Sequence, residues 1–136
     1  MATINAPSLQ DTVYSGDCPL ANAHGYITLA AAAIADKVRL TKLFAGTKVY
    51  DVKMVNAALG ASTTVAIGFE YCDGTAGGTA AAFIPATATS AAAGTREALI
   101  APITLTYDAY IIATIAGGVA TGALDVITTY EFKGVK

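Results

Sequence analysis

The chain has 136 residues, 54% of them hydrophobic and only 13% charged, with a formal net charge of −2. That length suits a single domain with one core. The balance argues against a nucleic-acid binder, which usually carries a basic excess or a basic face. A typical soluble domain is about 25% charged, so this chain exposes large uncharged areas, dressed with Thr, Ser, Ala and Gly or covered by a partner.

Residues 1–25 have no sustained period and hold Pro7, Gly16, Pro19 and Gly25 between polar residues. They read as an extended arm, with a single β domain over 26–136. Leu9, Val13, Tyr14 and Leu20 are isolated apolar residues on that arm, placed to anchor on a partner. The N-terminus lacks a basic stretch followed by an apolar one, so no secretory signal is expected. Cys18 and Cys72 then read as reduced thiols of a protein made in a cytoplasm, with a disulfide between them as the alternative.

Residues 26–35 are ambiguous. Alanine favours helix, while Ile27, Thr28 and the following Val38 and Leu40 favour strand. Strands over 26–32 and 37–43 are the preferred reading and a short helix is the alternative. The Ala-rich run over 29–35 is far shorter than the roughly 20 apolar residues of a membrane span, so no membrane partner is expected. Five cations, Lys37, Arg39, Lys42, Lys48 and Lys53, fall in this part of the chain. They read either as the solvent side of two strands, opposite Val38, Leu40, Val52 and Met54, or as a mildly basic surface that docks on an acidic protein.

The clearest pattern is over 63–71. Val65, Ile67, Phe69 and Tyr71 alternate with Ala66, Gly68 and Glu70, which places the large side chains on one face of a strand. Residues 73–79 and 86–94 are small and Gly- or Ala-rich, and read as two exposed loops. Between them Phe83 and Ile84 suggest a short strand that Pro85 confines to an edge or an end. Pro102 marks a further edge strand or bulge. Two patterned runs follow, over 110–115 and 124–132, the second alternating Leu124, Val126, Thr128, Tyr130 and Phe132 with smaller or polar residues. About eight strands at short spacing point to an all-β fold: an antiparallel β-sandwich, jelly-roll-like, with an extended N-terminal arm.

Chemistry is harder to find. His24 is the only histidine, and no Ser or Cys shares a recognised motif with it. Cys18 and His24 are close in sequence, but a structural zinc site needs four ligands, and Cys72 and Asp73 would have to complete the set from elsewhere. Glu70 and Asp73 read as an outward strand residue and a turn former, and Arg96–Glu97 as a strand-end charge pair. The glycines of 74–78 lack the Gly-Lys-Ser/Thr ending and helix of a phosphate loop. Tyr50, Tyr71, Tyr107, Tyr110 and Tyr130 come without a basic stripe, and so read as core edges or interface anchors rather than base-stacking platforms. No catalytic, metal-binding or cofactor-binding residue is assigned.

Lys48-Val49-Tyr50-Asp51-Val52, Ala58-Leu59-Gly60-Ala61, Val65-Ala66-Ile67-Gly68, Tyr71-Cys72-Asp73-Gly74 and the block over 110–122 together carry a resemblance. Over roughly residues 36–132 the chain resembles small structural proteins of tailed bacteriophages, in particular head decoration, or cement, proteins. That resemblance implies a non-enzymatic virion protein, made in the host cytoplasm, whose partner is the major capsid protein. It implies binding outside the assembled shell as a homotrimer at three-fold positions, stabilisation against internal DNA pressure, and a gripping N-terminal segment. A carbohydrate- or receptor-binding fibre module and a head–tail or tail component are the rival expectations.

Overall fold

The structure is a computed structural model that describes residues 20–96 and 101–132. Every regular element in it is a β-strand: β1 Leu20–Ala32, β2 Lys37–Leu43, β3 Thr47–Asn56, β4 Thr64–Tyr71, β5 Thr79–Ala88, β6 Ala93–Arg96, β7 Ile103–Thr104, β8 Ala109–Ala116 and β9 Ala120–Phe132. One sheet has the order β1-β9-β3-β6, with the two-residue β7 also paired to β3; the other has the order β2-β8-β4-β5. All the strand pairs are antiparallel. Except for β4 to β5 and β6 to β7, successive strands cross from one sheet to the other, and the first strand lies beside the last. That is the jelly-roll arrangement. The expected count of about eight becomes nine because the strand beside β3 is split into β6 and β7.

The core lies between the sheets. Val65, Ile67 and Phe69 of β4 face inward with Ile111, Ala113 and Ile115 of β8, and across from them lie Val49, Val52 and Met54 of β3 and Leu124 and Val126 of β9. Burying each such large side chain contributes roughly 1.5–3 kcal/mol. The alternation over 63–71 therefore sets which face of the second sheet is buried.

Residues 26–32 and 37–43 are strands, as preferred over helix, and Leu20–Gly25 belong to β1 as well. The remainder of the expected arm, residues 1–19, lies outside the described residues. The expected loop over 86–94 is shorter: β5 runs on to Ala88 and β6 begins at Ala93. Pro85 sits within β5, which pairs only with β4 and so is an edge strand, where a missing N–H is tolerated.

Gly68 explains an irregularity beside it. The pairing of β4 with β5 passes from Ile67↔Ile84 to Phe69↔Thr79, so extra residues of β5 bulge over the outer face of β4. A Cβ on Gly68 would lie 1.9 Å from the Thr79 carbonyl oxygen. Only a residue without a side chain admits the bulge there.

Candidate docking surfaces

The five cations do not form one surface. Lys37, Arg39 and Lys42 lie on β2, an edge of one sheet; Lys48 and Lys53 lie on β3, inside the other. All three β2 cations are engaged within the chain. Arg39 Nε donates to Glu70 Oε1 at 2.7 Å and its guanidinium lies 4.6 Å from the Tyr110 ring centroid. Lys37 Nζ is 3.5 Å from Glu70 Oε2, and Lys42 Nζ is 3.3 Å from Asp108 Oδ2. The hydrogen bond from Arg39 holds the Glu70 carboxyl below its ordinary value, and the same pairing raises Arg39. Such exposed pairs contribute little to stability, because water screens them and two long side chains must be held still.

On β3, Lys48 lies over the Tyr50 ring at 5.4 Å, and Lys53 is exposed. Tyr50 donates its hydroxyl to Glu131 Oε2 at 2.7 Å; that bond, more than burial, raises the phenol above its usual range. Arg96 pairs with Asp51 on the same outer face, and Glu97 lies outside the described residues.

The weaker chemical candidates are also placed. His24 stands on β1 with Nε2 2.7 Å from Asp125 Oδ1 on β9, at the surface. Asp73 accepts the Thr75 N–H at 2.9 Å, a turn bond that lowers its carboxyl, so it is a turn former. Cys72 is a half-buried free thiol, and Cys18 lies outside the described residues. Among the described residues no group of three or more His, Cys, Asp or Glu side chains is placed to hold a metal ion. No helix among them is long and apolar enough to cross a membrane.

Of the expected arm anchors, Leu9, Val13 and Tyr14 lie outside the described residues, whereas Leu20 is the exposed first residue of β1. Leu20 is not alone. Its β9 partner Glu131 adjoins exposed Phe132, whose partner on β3 is Thr47. The Thr47 N–H donates to the carbonyl of Phe44, which is also exposed. Asp108 Oδ1 accepts the Ala45 N–H at 3.0 Å beside exposed Tyr107, whose ring meets that of Tyr71 edge-on at 5.3 Å. The Ala45 N–H, helped by Lys42, lowers the Asp108 carboxyl. A cleft of about 430 Å³ lined by Ala45, Cys72, Asp73, Tyr107 and Asp108 opens at the same end. The sequence pattern does not mark Phe44 or Phe132 as a surface residue. The available signal was Phe44 itself, a large apolar residue in the tight turn before Gly46.

The class these features define is a jelly-roll β-sandwich with apolar surface at one end. No protein-family model matches the chain, and a comparison with curated proteins finds no match. Solved structures do share the fold. The capsid of Ralstonia phage GP4 contains a chain that aligns with a TM-score of 0.68 at 17% identity, over 92% of each chain. The cyanophage Pam1 capsid asymmetric unit contains one with a TM-score of 0.68 at 15% identity, over 97% of this chain and 99% of that one. The acid-stable capsid of Helicobacter pylori bacteriophage KHP30 contains a third, with a TM-score of 0.60 at 19% identity, over 83% of this chain and 86% of that one.

Proposed function

We propose that this chain is a non-enzymatic structural protein of a phage virion. It binds the outside of the assembled capsid through the major capsid protein and stabilises the shell, as a homotrimer at three-fold positions. The observation that carries this is the two-way match with the chain from the cyanophage Pam1 capsid, over 97% of this chain and 99% of that one. The likeness extends over nearly the full length of both aligned chains. Low charge supports the same reading, since 13% charged residues suit a surface that spends its life covered. A trimer contact would need to bury more than about 1,000 Å² to be stable. The lattice supplies avidity, so modest contacts per copy suffice. Residues 1–19, with Leu9, Val13 and Tyr14, extend the grip beyond the body.

The test is light scattering of the purified protein, alone and with emptied phage shells, followed by co-sedimentation. A trimeric mass and pelleting with shells are expected. Removing residues 1–19 should leave the circular dichroism spectrum unchanged and abolish pelleting. A monomer that ignores shells overturns the proposal, and hits on a glycan array would then favour a fibre module.

A further inference from the structure

We infer that the end of the sandwich bearing Leu20, Phe44, Tyr107 and Phe132 is the face that the body presses against the shell. This rests on the proposed function and adds to it the residues of the body that make contact. Each of the four side chains is between 46% and 60% exposed. They are half of the large hydrophobic residues exposed among the described ones, and three of the four are aromatic. Aromatic side chains are the usual anchors of protein interfaces, because they bury large area while losing few rotamers. The cleft beside Tyr107 gives a partner's side chain somewhere to seat.

Two further observations name the occupant. Residues 1–19 join the body at Leu20, and the described chain leaves it again at Phe132, so both connections are at this end. Any segment that grips a partner from residues 1–19 brings this end toward that partner. The charges here are also satisfied internally. Lys42 pairs with Asp108, and Asp73 holds the Thr75 N–H. The face therefore asks for no opposite charge. It fits a broad, largely uncharged protein surface, and poorly fits nucleic acid or an acidic peptide.

The opposite end is the built-in control. Ile34 and Val119 are exposed there too, but the loops that carry them are not aromatic and lie away from both chain connections. The experiment compares Phe44→Ser with Tyr107→Ser, singly and together, against Ile34→Ser with Val119→Ser, in co-sedimentation with emptied phage shells. Circular dichroism and light scattering check fold and mass. The first pair should bind at least about tenfold more weakly, the loss typical of a truncated aromatic anchor. The second pair should bind as the parent protein does. If the double variant loses its fold, the single variants and Phe132→Ser decide. Parent-like binding by all the near-end variants overturns the inference, even if removal of residues 1–19 abolishes binding. A change of mass in the near-end variants also overturns it, since the patch would then join copies of this chain. Failure of the parent protein itself to bind shells is a different result and removes the functional reading.

Discussion

The two ends of the sandwich differ in what they add to their main-chain bonds. One end carries the loops over 33–36, 57–63, 89–92 and 117–119; backbone bonds tie 57–63 to 89–92 and tie 33–36 to Ile115 of β8. The Leu59 N–H donates to Thr89 O at 2.9 Å, Thr89 N–H to Thr63 O at 3.0 Å, and Thr121 N–H to Leu59 O at 2.8 Å. The Thr63 and Thr89 hydroxyls meet at 3.0 Å, and Asn56 Nδ2 reaches Ala91 O at 2.9 Å. Among these loops the only charged side chain is Asp36. At the other end main-chain bonds also join the loops, Gly46 N–H to Leu105 O and Cys72 N–H to Asp108 O, each at 2.8 Å, and side-chain contacts are added to them: Lys42 with Asp108, Lys42 over Phe44, Tyr107 against Tyr71. Main-chain bonds fix loops with small residues and leave little to grip. Side-chain contacts leave aromatic edges at the surface.

Substitutions should separate the two ends. The largest effect is expected from Gly117→Ala. Gly117 has φ +75, and a Cβ there would lie 2.1 Å from the Ser62 carbonyl oxygen. Forcing that contact apart should cost about 3 kcal/mol, read as a lower urea midpoint. A parent-like midpoint would show that the loops give more easily than their bonding implies. Thr89→Val, which removes the bond to Thr63 from a fully buried position, should cost about 1 kcal/mol. Measured with Thr63→Val in a double-mutant cycle, it should show coupling between the two hydroxyls.

The side-chain end should respond to acid instead. Glu70 and Asp108 both have carboxyls held below their ordinary values. Their contribution is complete above the ordinary carboxylate range and is lost as pH falls through the folded-state values. Thermal unfolding should therefore shift down over that acid window, and Asp108→Asn should flatten part of the shift. An identical pH profile in the variant would remove Asp108 from the account. The smallest effect is expected from Phe44→Ser, whose side chain is 60% exposed; stability should stay within about 0.5 kcal/mol of the parent. A large loss would mean that Phe44 supports its turn rather than decorating it.

How much of this was legible in the sequence depends on side-chain size. Val65, Ile67, Phe69 and Tyr71 announce β4 because every inward position is large. The start of β1 resembles an arm in the sequence for the converse reason. Its inward positions Ala23 and Gly25 are small, so no period shows. The structure gives the cause at Gly25, where a Cβ would lie 2.7 Å from Leu40 Cβ on the facing edge strand. The five cations lie close along the chain, but β2 and β3 belong to different sheets, so Lys42 and Lys48 part company at the turn between them. The apolar end was illegible because Leu20, Phe44, Tyr107 and Phe132 come from four separate places in the chain, and only the strand register brings them together.

The antiparallel pairing of the first strand with the last has a practical result. Position 20 and position 132 are neighbours through the Leu20↔Glu131 pair, so a tag or reporter inserted directly before Leu20 or directly after Phe132 sits at the same end of the body as the aromatic patch. A probe meant to leave that end unobstructed belongs in the interior of the chain instead. Ser90 and Ala91, exposed at the far end between β5 and β6, offer the entry point.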